Sequence, residues 1–327
     1  MNQFEELWGA WEGVNMEEIS VFFEARNDDY HTFRAGSPEF ISNYFKKMNK
    51  PYVNGFYWGA DGYLWGNDFQ HIQNNHKTWE YDFEKHWFQF ELIGRLSFNP
   101  DLDEDIWIKK FKKYYGENYG KNIYEAIKRA SDIIPAINRL FWRDYDFQWH
   151  PESLLSSSGF TNILEFLKGQ PMPGANTISI KKFVSKKLNN KNLEGETPED
   201  ILKIINKSIE IIDEKISLIK NELPDEYFDG ILKCVILDLK AWKELGSYYL
   251  NKFTATINLT YYKETDKMEY KEKAIQNLKE GINNWQKLSA IWSSHYLPYK
   301  MTRNGHLFGY PYYLDQVKKD VKLAENL

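Results

Sequence analysis

Apolar positions run along this chain with two different rhythms, and the change between them falls near Thr78. Before it, EISVFFE (18–24) is short, β-branched and aromatic, the composition of a buried strand. The polar stretch ARNDDYHTFRAGS follows. SPEFISNYFKKM then offers Ser37 as N-cap, Pro38 at the first helical position and Glu39 in the first turn, which predicts a helix. YVNGFYWG is a second run of strand character, and it leads into the polar loop ADGYLWGNDF. Strand, loop, helix, strand, loop is the order of βα units on a parallel sheet.

Beyond Thr78 the period becomes helical. EYDFEKHWFQFELIGRLSF places Phe83, Trp87, Phe90 and Leu92 or Ile93 on one face and predicts a single helix. NPDLDEDIWIKKFKKYYG predicts a turn and then a helix with an acidic first turn, stopped at Gly116. Further helices are predicted over 121–141, 197–222, 225–263, 269–293 and 311–325. The segment 142–180 has the Pro, Gly and Ser content of irregular structure, and SKKLNNKNLEGETPED (185–200) reads as an exposed loop. The helices share no repeated signature, which argues against a solenoid. The predicted fold is therefore mainly α with a small α/β part, divided into 1–77 and 78–327. Two strands do not make a stable sheet alone, so the first unit reads as the end of a larger barrel or sheet.

Composition narrows the function. The net charge of −5 leaves no long Lys/Arg stripe for phosphates, so nucleic acid is not an expected partner. No apolar run approaches the ~20 residues of a membrane span, and no membrane partner is expected. The amino terminus MNQFEELWGAWEGV lacks the basic and apolar regions of a signal peptide. Cys234, the single cysteine, sits in an apolar pattern and reads as core. The 7 histidines have no HExxH spacing, so neither metal nor cofactor is assigned. Aromatic content is unusual at 17%, and many rings sit beside Gly, Asp, Asn or Arg, as in YWGADGYLWG and FWRDYDFQWHPES. Flat rings next to carboxylate, amide and guanidinium groups suit a pyranose, which presents a C–H face and hydroxyls. Carbohydrate is the partner this composition favours.

The span HWFQFELIGRLSFNPDLDEDIWIKKFKKYYG resembles the junction in family 67-type α-glucuronidases where the barrel passes into the carboxy-terminal helical domain. ARNDDYHTFRAGSPEFISNYF and NGFYWGADGYLWG look like the last two βα units of such a (β/α)8 barrel. DFQWHPE and YPYYLDQVKKDVKLAE are similar to segments of helical domains in related bacterial polysaccharide-degrading proteins. The resemblance implies terminal βα units of a (β/α)8 barrel followed by a helical domain, in a glycoside hydrolase acting on uronic-acid-bearing plant polysaccharide. It also implies a homodimer through the long helices and a periplasmic or extracellular setting. No segment corresponds to the earlier strands that carry the family's catalytic carboxylates. The catalytic residues are therefore unassigned, and the chain is expected to lack the acid and base or nucleophile pair that glycoside hydrolysis uses. A non-catalytic glycan-binding or scaffold module is the alternative, and an independent site built from Asp28, Asp29, Asp61 and Glu152 is a third reading.

In such a barrel, functional groups sit on loops after the carboxy ends of the strands. That rule puts Arg26, Asn27, Asp28 and Asp29 at the lip of the first strand and Asp61, Tyr63 and Trp65 at the lip of the second. Asp28 and Asp29 serve equally well as loop caps. Arg34 is either their ion-pair partner or a ligand contact. Trp149, His150 and Glu152 form a polar and aromatic group in an irregular loop, where a structural cluster competes with a substrate-binding role for Trp149 and Glu152. Arg95 is expected in an interior ion pair or as a cap for the NPD turn.

Overall fold

A computed structural model describes residues 14–15, 19–26, 32–59, 71–72, 79–143, 149–223, 229–301 and 304–327. Strand β1 (Val21–Arg26), helix α1 (Pro38–Met48) and strand β2 (Val53–Gly59) form one βαβ unit with parallel strands. Phe22 pairs with Gly55 and Glu24 with Tyr57, after a register shift at the start of β1. Side chains alternate across a strand, which separates the two faces of this pair. Phe56 packs on Phe45 of α1 with ring centroids 4.8 Å apart. On the opposite face Phe22 and Tyr57 are 65% and 56% exposed. The helix starts as its sequence predicts, with the Ser37 side chain accepting from the Phe40 amide and Pro38 in the first turn.

The rest is helical: α2 (Asp82–Lys85), α3 (Trp87–Leu96), α4 (Asp105–Tyr115), α5 (Gly120–Ala130), α6 (Ile133–Leu140), α7 (Ile163–Phe166), α8 (Ile180–Leu188), α9 (Pro198–Glu222), α10 (Gly230–Thr265), α11 (Met268–Ser293) and α12 (Leu314–Glu325). The chain is thus mainly α with a small α/β part. Helix α10 is the spine, packed against α9, α11, α8 and α5. It buries Trp242, Leu245, Tyr249 and Phe253 completely. Left-handed Asp266 (φ 55°) ends it, and α11 folds back along its side. A capping box formed by Thr197 and Asp200 starts α9. Short strand pairs, Leu155–Ser156 with Gly159–Phe160 and Tyr299–Lys300 with Leu307–Phe308, stiffen two connections.

Several boundaries differ from those predicted. The single helix expected over EYDFEKHWFQFELIGRLSF is interrupted at His86, where Lys85 and His86 both turn into the interior at 2% exposure. The helix expected at 121–141 divides into α5 and α6. Pro135 lacks the amide needed inside a continuous helix and is accommodated in the first turn of α6. Helix α8 occupies the start of the run read as exposed loop, because Ser179 caps it and Phe183 and Val184 are buried. The last helix begins as a 3-10 turn at Tyr310–Tyr313. Arg95 pairs with Glu91 at 3.4 Å on a half-exposed face, not in the interior.

One apolar core runs through the molecule and includes Phe33, Tyr44 and Phe45 together with Phe88, Tyr124, Trp242 and Tyr310. The segment Thr32–Ser37, part of the stretch whose sequence reads as a polar loop, is buried along its whole length. Gly36 explains how closely it fits. A Cβ there would lie 2.5 Å from the Phe88 ring and 2.9 Å from Leu92.

Candidate functional site

The buried segment Thr32–Ser37 threads a layer of charged and aromatic groups supplied by elements distant in sequence. Its backbone is held at nearly every step. Glu152 Oε1 accepts from the amides of Thr32 (3.0 Å) and Phe33 (3.1 Å). The Thr32 carbonyl accepts from Lys85 Nζ and, at 3.3 Å, from the Tyr296 hydroxyl. Trp242 Nε1 donates to the Arg34 carbonyl at 2.9 Å. The Gly36 amide donates to Ser131 Oγ at 2.7 Å. An irregular segment has no ladder to satisfy its backbone, so burying it requires such external partners.

Asp238 on α10 is the electrostatic centre. Its Oδ2 pairs with Arg34 Nη1, and its Oδ1 accepts from the Tyr296 hydroxyl at 2.6 Å and lies 3.4 Å from His295 Nε2. Burial opposes ionisation of Asp238, but Arg34, His295 and Lys85 outweigh it and hold the carboxyl well below the usual carboxylate range. Burial likewise opposes the charge on Arg34, and the Asp238 carboxylate overcomes it, so the guanidinium stays above its ordinary value. The Arg34 guanidinium also lies over Trp79, with Cζ 4.8 Å from the ring centroid. Edge-on to Trp79 stands His71, at 4.7 Å between centroids, and His71 bridges to the backbone of Tyr296. Burial, then the neighbouring Lys85, His295 and Arg34, push His71 down to about 2. Burial and Lys85 lower His86 in the same way. Both imidazoles are neutral in the folded protein.

The predicted site residues fall into three groups. Asp28, Asp29, Asp61, Tyr63 and Trp65 lie outside the described residues. Arg26 ends β1 opposite Gly59, so its backbone stands at the carboxy end of the parallel pair. Arg34, Trp149 and Glu152 are buried at 3%, 1% and 0% exposure. Among the described residues the ion partner of Arg34 is Asp238. Trp149 donates from Nε1 to Asn138 Oδ1 at 3.1 Å and packs edge-on to Phe141. Tyr310 donates to the Glu152 carbonyl at 2.7 Å, and Tyr249 to that of Pro151 at 2.5 Å. Arg34 and Glu152 thus meet on one segment, whereas Trp149 supports the loop from behind.

Sequence reasoning missed Asp238, Lys85, His71, Trp79, His295 and Tyr296. A signal existed for Asp238, a lone carboxylate within the apolar run CVILDLKAW. A second buried pair carries the same signature. Lys252 in YYLNKFTATI lies 2.9 Å from Asp320, with both side chains 1% exposed. Lys252 also donates to the Thr161 carbonyl at 2.8 Å, and Asp320 accepts the Ile163 amide at 2.8 Å at the start of α7. Burial lowers Lys252 and raises Asp320. Cys234 is buried on α10, and burial pushes its thiol up to about 11. Among the described residues no group of three or more His, Cys, Asp or Glu side chains is arranged to hold a metal, and no helix is long and apolar enough to cross a membrane.

Chemically, the layer is a docking cradle more than a reaction centre. Glu152 and Asp238, its two carboxylates, are committed to backbone amides and to Arg34, Tyr296 and His295 respectively. Such a cradle fixes the backbone of Thr32–Ser37, which lies between β1 and α1. No protein-family model matches the chain, and neither does any curated protein. Among solved structures, the fold is similar to that of a GH138 enzyme targeting pectin rhamnogalacturonan II, with a TM-score of 0.74 and 18% identity over 93% of this chain. The chain spans about half of that protein's length, 47%.

Proposed function

We propose that the chain is the carboxy-terminal portion of a carbohydrate-active glycoside hydrolase that acts on uronic-acid-bearing polysaccharide. In this reading β1–α1–β2 is the end of a (β/α) barrel, 78–327 is the helical support domain, and α-glucuronidase-type chemistry is its finest form. The observation that carries it is the parallel β1–β2 pair. One face is covered by α1 and the other exposes Phe22 and Tyr57, whereas parallel sheets are normally covered on both faces. The likeness to a glycoside hydrolase of about twice the length supports the same reading. The boundary at 77/78 then separates two ancestral units that share one core. Arg26, Asp28, Asp29, Asp61, Tyr63 and Trp65 form the sugar-binding lip, while Arg34, Trp149 and Glu152 hold the lip in place. The long helices provide the surface for a homodimer.

A non-catalytic glycan-binding or scaffold module is the second reading, favoured by the full engagement of Glu152 and Asp238. Binding of uronic-acid-bearing oligosaccharides and melting temperature, measured together on Asp61→Ala and Trp65→Ala, test the lip. A charge-assisted contact contributes about 1.5–3 kcal/mol, so affinity should fall about tenfold or more with the melting temperature retained. Unchanged affinity in both variants removes the binding lip. Hydrolysis of aryl-glycosides or aldouronic acids by the isolated chain would show that a complete catalytic pair is present after all.

A further inference from the structure

Apolar side chains scattered singly over a protein surface need no explanation. Tyr81 and Phe83 are not scattered. They are 45% and 56% exposed, and their rings lie 4° from parallel with centroids 5.5 Å apart. The helical period groups Phe83 with Trp87 and Phe90 on one apolar face. With the helix interrupted at His86, Phe83 leaves that face and stacks on Tyr81 in solvent.

The segment that carries the pair is fixed on both sides. Trp79 lies under the Arg34 guanidinium and against His71, and Lys85 donates to the Thr32 carbonyl. Between these anchors, Glu84 Oε2 accepts from the amides of Glu80 (2.6 Å) and Tyr81 (3.0 Å). The Glu84 amide donates back to the Tyr81 carbonyl at 3.0 Å. The stack is therefore preorganised, and an occupant meets a flat apolar surface that costs little ordering. The Lys85 contact sets it near Thr32, shortly after Asp29 in sequence.

Size and charge select the occupant. Two rings are too small a patch for a stable protein interface, which buries about 1,200 Å² or more. Glu80 is exposed next to Tyr81, and its hydrogen bond and charge raise the Tyr81 phenol above its ordinary value. Carboxylates accept hydrogen bonds from hydroxyls and repel a second carboxylate. A ring face beside such acceptors fits the C–H face and hydroxyls of an uncharged sugar.

We propose that the Tyr81–Phe83 stack is a subsite for a neutral pyranose unit and selects against a uronic acid at that position. The subsite rests on the glycan reading above and adds a neutral neighbour to the uronic acid assigned to the lip.

The full chain is titrated calorimetrically with galactotetraose and with tetragalacturonate, alongside Tyr81→Ala, Phe83→Ala, Phe83→Tyr and, for the lip, Asp61→Ala. Both rings are exposed, so melting temperatures should stay close to the parent's. Galactotetraose should bind, lose about tenfold or more in affinity in both alanine variants, and keep its affinity in Phe83→Tyr, which retains the ring. Tetragalacturonate affinity should be unchanged in all three. No galactotetraose binding up to roughly tens of millimolar, or affinity unchanged in both alanine variants, would overturn the subsite. An equal loss for both ligands would overturn its selectivity, and self-association of the parent abolished by Phe83→Ala would make the pair a protein contact instead. The lip fails separately. Tetragalacturonate binding indifferent to Asp61→Ala, with galactotetraose still dependent on Phe83, removes the lip and sustains the subsite.

Discussion

Removing one member of the Arg34–Asp238 pair should be among the most damaging single changes available in this protein. Both side chains are essentially dry, at 4% and 1% exposure. Two unit charges about 4 Å apart attract by roughly 4 kcal/mol at an effective dielectric of about 20. Asp238→Leu forfeits that attraction and leaves a guanidinium buried without a counter-charge, a loss measured elsewhere at about 3–5 kcal/mol. The Tyr296 hydroxyl loses its 2.6 Å acceptor in the same variant, adding about 1 kcal/mol or more. Arg34→Met should cost a similar amount by stranding the carboxylate. The double variant Arg34→Met/Asp238→Leu strands neither charge, so it should recover most of the loss and show a coupling of about 3 kcal/mol. Urea unfolding followed by far-UV circular dichroism on the four proteins measures this directly. Single variants that each cost less than about 1 kcal/mol and simply add in the double would refute the claim that this pair organises the buried layer.

Acidification should weaken the fold through its two buried imidazoles. His71 is held near 2 and His86 well below its ordinary value, so below pH ~6.5 the unfolded chain takes up protons that the folded chain refuses, and stability falls by up to about 1.4 kcal/mol per pH unit for each. The urea midpoint should drop between pH 7 and 5, and His71→Phe should flatten the slope; an unchanged slope contradicts the neutral, buried imidazole. Gly36→Ala should destabilise by about 1–3 kcal/mol through overpacking, because its Cβ would sit 2.5 Å from Phe88, and Phe88→Leu should restore much of the melting temperature. A fully stable Gly36→Ala would mean that Thr32–Ser37 is not packed as described.

The parts of the fold that local chemistry dictates were legible in the sequence. Ser37 and Pro38 started α1 and Gly116 ended α4, each through groups within a turn of one another. The parallel pairing of β1 with β2 followed from their order around a helix. Features decided by tertiary contact were not legible. The break at His86 exists because Lys85 and His86 turn inward to a segment some fifty residues earlier. Thr32–Ser37 reads as polar loop because its partners, Glu152, Asp238 and Tyr296, lie more than a hundred residues away. Arg34 and Glu152 were singled out for their residue types, yet only the fold shows them acting on the same strip of backbone.

The pair across α10 also constrains how this sequence can drift. Positions 34 and 238 are separated by 204 residues and joined by one dry contact, so a change at either is tolerated only when the other changes with it. Among related sequences these two columns should therefore vary together, as a charged pair or as an apolar pair, and seldom as a mixture. A gene split at the 77/78 boundary would leave an orphan cation on one product and orphan anions on the other. Neither product would bury its own core cleanly, and selection would keep the two reading frames fused or their products bound.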